Sequence, residues 1–390
     1  MVLAARHLGL RLACVVAIIG SLCHSAFASS FVITDTFDST NSTSLRGAII
    51  AANAAGGENA IILTGGSYPL TISGADEPGG YTGDLNITNG SLIIEGATPA
   101  ATRIDATGLG DRVFQVSSNA QLVLIKLVIQ GGSAPYFFEP AYALEGEPGG
   151  AIYNSGMLAL EDCAVIGNGC VYGGCGGGIY NSGNATLDEC VISNNMAGTG
   201  MGPNNSGYGN PGGDGGGIYN IGTLVLANCL MRANQAGQGG MGGAINIGAP
   251  SGSGGAGGGG GGIWNSGGLH LLFCTVCGNQ AGDGGMGGGD WTGGAGGDGG
   301  SGSGIYNEGT LALNTCTVCG NHAGNGGHGG NAWIDNSAAN GGKGGGGGGI
   351  CNIGGLSLVS CSIVFNGTGV GGDGGSMDFD GYNPIPGAGG

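Results

Sequence analysis

Apolar and polar positions alternate with a period of two through most of the chain, which indicates β-strands and not helices. Segment 149–168 shows the pattern well, with turns at 155–156 and 161–162 that let the alternation restart on the same face. The residues predicted to share that inward face are Ile152, Asn154, Leu158, Leu160, Cys163 and Val165.

This segment belongs to a repeat, G-[GS]-[AG]-I-[YWC]-N-x-G-x-[LA]-x-L-x-x-C-x-[VIM]-x-x-N, whose six copies span 149–366. The copies begin at Gly149, Gly176, Gly215, Gly260, Gly302 and Gly347. One copy is too small to bury its own apolar face, whereas stacked copies bury a continuous core. The repeat therefore predicts an all-β fold, a single parallel β-helix of about nine coils. Glycine-rich inserts between copies all fall at one corner, so we expect them to project from one edge.

Residues 29–148 precede the repeat and are expected to hold the cap and the first, degenerate coils. Apolar pairs of short segments at 61–72, 85–94 and 113–125 predict these coils. Helical spacing of Leu45, Ala48, Ile49 and Ala52 predicts a helix over 44–55, with N-cap candidates at 41–43. A solenoid needs its first coil covered, and this helix is the predicted cap. The glycine-rich tail 367–390 is expected to be loose.

Residues 1–28 have the features of a secretory signal peptide. Arg6 and Arg11 form a basic start, residues 12–22 are apolar, and Ala26-Phe27-Ala28 matches an A-x-A cleavage site. No later apolar stretch is long enough for a membrane helix. We therefore expect an exported chain without a transmembrane helix in its mature form, secreted or held at the outer surface of the cell.

Composition narrows the function. The chain has 99 glycines among 390 residues, but 41% hydrophobic and only 8% charged residues argue against disorder. A net charge of −17 makes nucleic acid an unsuitable partner. The few basic residues also cannot line a groove for acidic glycans, which is why we predict that the chain is not an enzyme.

Each copy's GG[AG]I and [VIM]-x-x-N elements resemble the repeats of polymorphic outer-membrane proteins and related bacterial surface β-helix proteins. Segment 44–53, SLRGAIIAAN, is similar to the C-S-L-R-E-A-I-x-x-A-N segment that begins many of them, with Thr43 and Gly47 in place of the usual cysteine and glutamate. The resemblance spans roughly 31–366. It implies a right-handed, pectate-lyase-like β-helix at the cell surface, and it implies no reaction.

Two side-chain columns are predicted to be structural. Equivalent asparagines in stacked coils can pass amide hydrogen bonds along the axis, and the first such column is Asn154, Asn181, Asn220, Asn265, Asn307 and Asn352. The aligned cysteines form an inward apolar column, because the strand period places the two cysteines of each C-x-x-C on opposite faces, which disfavours a zinc site. The sequence does not decide whether Cys277 forms a disulfide with Cys319, or Cys170 with Cys175.

Candidate ligand-binding residues lie on the outside. An outward aromatic column could contact glycans, or the glycine-rich inserts could fold back over it; its members are Tyr153, Tyr180, Tyr219, Trp264 and Tyr306. Successive coils should also place Glu161 over Asp188 and Asp162 over Glu189. Such close carboxylates are solvated, or bridged by calcium, or act as a general acid/base pair for glycoside cleavage. Calcium is the one metal ion that the sequence leaves open as a cofactor.

The sequence thus predicts an exported, non-catalytic β-helix surface protein, adhesin-like or structural, whose partner is an extracellular glycan or another cell-surface component. The alternative is a carbohydrate-active β-helix enzyme, either a polysaccharide lyase or a glycoside hydrolase. An enzyme should gather charged and polar residues on one strand face across several coils, and here those positions are mostly small or apolar.

Overall fold

The computed structural model describes residues 29–74, 79–98, 101–138, 144–204, 206–244, 251–290, 292–332 and 338–376. The signal peptide predicted at 1–28 and tail residues 377–390 lie outside this part of the chain. What is described is a parallel β-helix with one short helix at its N-terminal end, as the sequence predicts.

Each complete coil contributes one strand to each of three parallel sheets, named A, B and C, which the chain visits in the order C, A, B. The incomplete first coils give sheet A two extra strands and sheet B one. Sheet A contains β1 (Ser29–Ile33), β2 (Glu58–Leu63), β5 (Gly90–Glu95), β8 (Ala120–Ile125), β14 (Met157–Glu161), β18 (Asn184–Asp188), β21 (Thr223–Ala227), β24 (Gly268–Leu272), β27 (Thr310–Asn314) and β30 (Gly355–Val359). Sheet B contains β3 (Gly66–Pro69), β6 (Thr102–Asp105), β9 (Val128–Gln130), β15 (Ala164–Ile166), β19 (Val191–Ser193), β22 (Leu230–Arg232), β25 (Thr275–Cys277), β28 (Thr317–Cys319) and β31 (Ser362–Val364). Sheet C contains β4 (Leu85–Ile87), β7 (Phe114–Val116), β13 (Ile152–Asn154), β17 (Ile179–Asn181), β20 (Ile218–Asn220), β23 (Ile263–Asn265), β26 (Ile305–Asn307) and β29 (Ile350–Asn352).

Two further strand pairs lie beside the coils. Strands β10 (Ser133–Ala134) and β16 (Gly169–Cys170) pair in parallel, and β11 (Tyr136–Phe138) and β12 (Leu144–Gly146) form an antiparallel pair in one insert. In the three large sheets the pairing is parallel and aligns each copy of the repeat with the next, for example Ile152 with Ile179.

The core is the predicted inward face. Ile152, Leu158, Leu160 and Val165 are buried, and so are the aligned cysteines of the first five copies, such as Cys163. Corners between the sheets are made by residues with positive φ. The residue before each aligned cysteine is one such corner, including Asp162 at 51°. Because side chains at these corners point to solvent, sequence variation there leaves the core unchanged.

Helix α1 (Leu45–Ala55) covers the first coil, where it packs against β1, β2 and β4. Its N-cap is Ser44, whose hydroxyl accepts a hydrogen bond from the Gly47 N–H, and not one of the predicted residues 41–43. Strand β1, which precedes the helix and pairs with β2, was not predicted, because it is a single edge strand outside the repeat.

The glycine-rich inserts do leave from one edge, between the end of sheet B and the start of sheet C. The prediction of a loose tail from Gly367 is wrong as far as Ser376. Backbone N–H groups of Gly369, Gly372 and Gly375 donate at 2.9 Å to carbonyls of the preceding insert. This segment repeats the geometry of the earlier inserts, which is described next.

Candidate functional site

The inserts of successive coils form one hydrogen-bonded body that we call the glycine slab. Each insert has an outgoing segment, which leaves sheet B, and a return segment, which leads back to sheet C. Outgoing segments 237–243, 282–288, 324–330 and 369–375 stack as one layer, and return segments 207–213, 252–258, 294–300 and 339–345 stack as the second. The slab therefore has two outer faces.

Hydrogen bonds in the slab repeat every third residue. Within the segment 237–243, the N–H groups of Gly237 and Gly240 donate across to the return layer, at 2.8 Å each. The N–H group of Gly239 donates to Asp283 O of the next outgoing segment, also at 2.8 Å. A three-residue period without hydrogen bonds inside the segment is characteristic of polyproline II geometry, and here it is held together by neighbouring segments.

Close packing explains the glycines. A Cβ atom on Gly285 would lie 1.9 Å from the carbonyl oxygen of Gly240, and one on Gly297 would lie 2.0 Å from that of Gly255. In the outgoing layer every third residue is not glycine, and its side chain points outward. One outward column of the outgoing layer is Thr199, Gln238, Asp283, Asn325 and Val370, and the next is Met241, Met286, His328 and Asp373.

Polar outward residues also stabilise the slab. The outward backbone N–H of one coil is satisfied by the side chain of the coil before: Asn325 N–H donates to Asp283 Oδ1 at 2.7 Å, and Lys343 N–H donates to Asp298 Oδ1 at 2.7 Å. Met241 and Met286 offer no such acceptor and are respectively 60% and 47% exposed. The outgoing face therefore combines polar rungs with exposed thioether side chains.

The predicted aromatic column lies outward on sheet C, close to the base of the slab, and its side chains are half-buried. The rings stack on one another with interplanar angles of 1° to 8°, and the closest centroids, those of Tyr219 and Trp264, are 4.2 Å apart. Arg112 lies over the Tyr153 end, 5.5 Å from that ring's centroid. Sugar stacking needs a free ring face, and in this column neighbouring rings occupy the faces and leave only edges accessible.

Electrostatics beside the column favour neutral phenols. Burial raises the pKa values of Tyr180, Tyr219 and Tyr306, and neighbouring acidic groups add to the effect. One of these groups is Asp214 at the slab base. Burial raises the pKa of Asp214 to about 6, although a 2.6 Å hydrogen bond from the Gly259 N–H has a lowering effect. The column thus offers hydroxyl edges and no charge.

The asparagine column is a continuous buried ladder. Each Nδ2 donates to the Oδ1 of the next coil, from Asn154 to Asn181 at 2.6 Å through to Asn307 and Asn352 at 2.6 Å. The asparagines that close each copy form a second ladder with distances of 2.9 to 3.0 Å, ending at Asn321 and Asn366. These amides satisfy one another and the corner carbonyls, so they are part of the scaffold.

Replacing Asn220 with alanine should destabilise the protein by about 2 kcal/mol, because a buried polar group left without its partner costs about 1–3 kcal/mol. Asn265 Oδ1 would lose its donor and the Asn181 amide would lose one acceptor. Chemical denaturation measures the loss. Asn184, which is exposed on β18, is the matched control. Equal stability of the Asn220→Ala and Asn184→Ala variants would contradict a structural ladder.

The acidic residues stack as expected on the backbone, with Glu161 opposite Asp188 on β14 and β18. Asp162 and Glu189 occupy the following left-handed corner. Burial and then the Asp188 charge raise the pKa of Glu161, while the Lys126 ammonium opposes them. Across the ranges that the structure covers, no three His, Cys, Asp or Glu side chains are arranged to hold a metal ion. The calcium site at these four carboxylates stays a prediction.

All eleven cysteines after residue 28 are free thiols, so neither disulfide left open by the sequence is present. Cys170 directs its thiol to the carbonyl oxygen of Cys175 at 3.5 Å, and burial raises the pKa of both thiols to about 12. Cys277 and Cys319 lie side by side on β25 and β28 and stay unlinked. Burial also raises the pKa of Cys277, so Cys170, Cys175 and Cys277 do not have the lowered pKa of a reactive cysteine.

Sequence reasoning missed a buried charged cluster around Arg112. Its guanidinium pairs with Glu147, lies 3.7 Å from Asp84, and donates to Gln115 Oε1 at 2.7 Å. These charged side chains are at most 10% exposed. The ion pair between Arg112 and Glu147 holds residues 144–148 against the coils.

A comparison with protein-family models gives no match, and neither does a comparison with curated proteins. Among solved structures, a rice weevil pectin methyl esterase shows 11% identity over 88% of this chain and 90% of that chain, with a TM-score of 0.36. Pectin methylesterase PemA from Erwinia chrysanthemi shows 12% identity over 75% and 79%, with a TM-score of 0.31. The A-module of Azotobacter vinelandii mannuronan C-5 epimerase AlgE6 shows 13% identity over 85% and 96%, with a TM-score of 0.32. Similarity at this level concerns the fold alone.

The slab is the feature with the clearest capacity for recognition. Its outgoing face is patterned at two spacings: about 4.8 Å between coils and about 9.3 Å along each segment, three residues of 3.1 Å. Among the residues with described positions, no helix has the length and apolar character of a membrane span.

Proposed function

We propose that the chain is an exported, non-catalytic surface protein of a bacterial cell, related to polymorphic outer-membrane proteins, that adheres through the outgoing face of its glycine slab. The partner is an extended extracellular glycan or another cell-surface component with a repeating structure. The aromatic column acts mainly in packing at the slab base.

One observation carries this proposal: in the outgoing layer two of every three residues are close-packed glycines, while the third varies among the coils. The second outward column contains Met241, Met286, His328 and Asp373 at equivalent positions. If the slab were purely structural, the same small polar residue could occupy every outward position. Varied chemistry on a rigid scaffold is typical of binding surfaces, where loops and exposed positions supply recognition.

We expect replacement of Gln238, Met241 and Met286 together by alanine to abolish most retention on polysaccharide or whole cells. Affinity should fall at least about tenfold if each contact contributes about 0.5–1 kcal/mol. Since the three side chains point outward, the melting temperature should stay near that of the unmodified protein. Retention is measured by pull-down on immobilised polysaccharides and on whole cells.

The control is the Tyr219→Ala, Trp264→Ala variant. Stacked aromatic pairs contribute about 0.5–1.5 kcal/mol each. This variant should therefore have a lower melting temperature and still be retained on polysaccharide or whole cells. Loss of retention in this variant, with binding intact in the slab variant, would place the contact at the aromatic column. Release of new reducing ends or unsaturated products from any polysaccharide would instead favour the enzyme alternative.

A further inference from the structure

A groove lies at the corner where the chain leaves sheet B and enters the glycine slab. It has a volume of about 370 Å³ and is formed by equivalent residues of three successive coils, including members of the second asparagine ladder. We call it the corner groove. The residues that line it beside the ladder are Gly167, Gly169, Asn194, Met196, Ala233 and Gln235.

The same arrangement continues into the next coil. Parallel bridges join Met196 to Gln235 and Gln235 to Gln280. The corner glycines Gly167 and Gly278 have left-handed φ angles of 66° and 63°, and a Cβ atom on either would have no other atom within 4 Å. Unlike the close-packed glycines of the slab, they therefore leave open space beside the coils.

Amide groups along the groove have no partner in the protein. Among the described residues, the side chains of Asn194, Gln235 and Gln280 make no hydrogen bond. Elsewhere on sheet B an outward amide is engaged, since Gln130 donates to Asp105 Oδ2 at 2.9 Å. A carboxamide is both a donor and an acceptor, so these three side chains can serve a ligand with the same dual capacity.

Backbone N–H groups in the groove are already engaged. Met196 N–H donates to Asn168 O, and Gln235 N–H donates to Asn195 O, each at 2.9 Å. A peptide that adds to a sheet needs backbone donors as well as acceptors along a free strand edge. The groove therefore suits a ligand that is recognised by side-chain amides, and not an added peptide strand.

The corner groove is also uncharged. No Asp, Glu, Lys, Arg or His occurs in the segments that form it and its continuation, 167–169, 194–196, 233–235 and 278–280. The net charge of −17 on the whole chain repels acidic polymers. Hydroxyl groups donate and accept hydrogen bonds as amides do, and the thioether of Met196, which is 46% exposed, suits the apolar face of a sugar ring.

We propose that the corner groove binds a neutral, extended glycan whose chain runs along the solenoid axis, with Asn194, Gln235 and Gln280 hydrogen-bonded to its hydroxyl groups. Coils repeat about every 4.8 Å, which is comparable to the length of one pyranose unit, so successive sugars meet equivalent amides. This inference rests on the proposed adhesion and deepens it. It names the class of glycan and places the chain beside the outgoing face, where Gln238 follows Gln235 after three residues.

Ala233→Phe tests the proposal by filling the groove. Phe365 occupies the equivalent position of the last copy with a φ of 58°, close to the 53° of Ala233, so the backbone accepts phenylalanine there. Affinity for the neutral polysaccharides β-glucan, mannan and galactan, measured by retention on the immobilised polymers, should fall at least about tenfold.

Thr315→Phe is the matched control. Thr315 is exposed at the other corner of sheet B with a φ of 54°, and the preceding copy has Phe273 there with a φ of 55°. The substitution adds the same ring on the same left-handed backbone, away from the groove. This variant should bind as the unmodified protein does.

A second variant, Gln235→Ala with Gln280→Ala, removes amides without adding bulk. Because neither side chain has a partner in the described part of the protein, the melting temperature should not change. Affinity for the same neutral polysaccharides should fall about tenfold, the effect of two lost hydrogen bonds.

The outcomes separate this inference from the proposed function. Full binding by both groove variants, with loss of binding in the variant of Gln238, Met241 and Met286, would overturn the groove and leave adhesion through the outgoing face. Equal loss in Ala233→Phe and Thr315→Phe, with full binding by the glutamine variant, would assign the effect to the backbone and also overturn it. Retention only on polygalacturonate or alginate, or only on peptides, would contradict the neutral-glycan class. An unmodified protein that is retained on no polysaccharide and on no cells would overturn both proposals.

Discussion

Replacing Gly285 with alanine should destabilise the protein by about 3 kcal/mol, the upper part of the range for overpacked sites. The added Cβ would lie 1.9 Å from Gly240 O and 2.6 Å from Gly240 C, both backbone atoms that a rotamer change cannot move. The outgoing segments 237–243 and 282–288 would have to separate, with loss of hydrogen bonds such as that from Gly242 N–H to Met286 O at 2.8 Å.

The sign of this effect is informative. A glycine-to-alanine change at an unconstrained site usually stabilises a protein by about 0.4–1 kcal/mol, because it reduces the entropy of the unfolded chain. Denaturant unfolding gives the free-energy change, and hydrogen exchange at 237–243 and 252–258 should show where protection is lost. The neighbouring Met286→Ala is the control and should change stability by less than about 0.5 kcal/mol. If Gly285→Ala were as stable as Met286→Ala, the slab would not be close-packed.

The coils could be predicted from the sequence because their signal is redundant. A period of two, an aligned cysteine and two aligned asparagines recur in six copies, and each feature independently predicts the same face as buried. The aligned positions pair directly, for example Asn220 with Asn265. The stacking of Glu161 over Asp188 follows from the same alignment. Whether neighbouring carboxylates converge on an ion depends on side-chain direction, which the repeat does not specify.

The slab was predicted only as a set of projecting inserts. Polyproline II segments bury no apolar side chains, so a hydrophobic period cannot reveal them. A different signal was present: in AGQGGMGG, AGDGGMGG and AGNGGHGG the non-glycine residue recurs every third position at the same offset in three copies. Such alignment of inserts, and not their composition, indicates stacked segments.

The aromatic column shows a second limit. Its outward placement follows from the strand period, and coil spacing of about 4.8 Å requires rings on adjacent coils to approach each other. Ring orientation depends on χ angles and on what borders the column, here the slab base and Arg112. Those features come from segments outside the repeat. The repeat pattern therefore does not decide whether the rings stack on one another or leave their faces free.

Replacing Arg46 with methionine should cost about 3–5 kcal/mol, the range for removing one partner of a buried ion pair. Arg46 joins the cap helix to the first coils: Nε and Nη2 donate to Asp38 at 2.7 and 3.2 Å, and the remaining N–H groups donate to the carbonyl oxygens of Gly80, Gly83 and Asp84. Both charged side chains are almost fully buried. Methionine fills a similar volume, so the expected loss comes from polar groups left without partners.

The pH dependence of stability separates the ion pair from packing. Burial alone would raise the pKa of Asp38, but hydrogen bonds from Arg46 and from the Ile72 and Thr71 N–H groups outweigh it and hold that pKa below its ordinary value. A carboxyl whose pKa is lower in the folded state stabilises the protein above its unfolded pKa, about 3.9, and this contribution is lost as the pH falls through the folded pKa. The acid limb of the stability profile should therefore be shallower in Arg46→Met.

Arg103→Met is the control, since Arg103 is exposed on sheet B, and we expect a change within about 0.5 kcal/mol. Adding Asp38→Asn to Arg46→Met should recover part of the loss, because the second change removes the unpaired buried carboxylate. In a solenoid each coil is stabilised by its neighbours, so loss of the cap should expose β1 and β2 to hydrogen exchange before the later coils. An Arg46→Met protein that unfolds like Arg103→Met, with an unchanged acid limb, would show that the cap is held by apolar contacts alone.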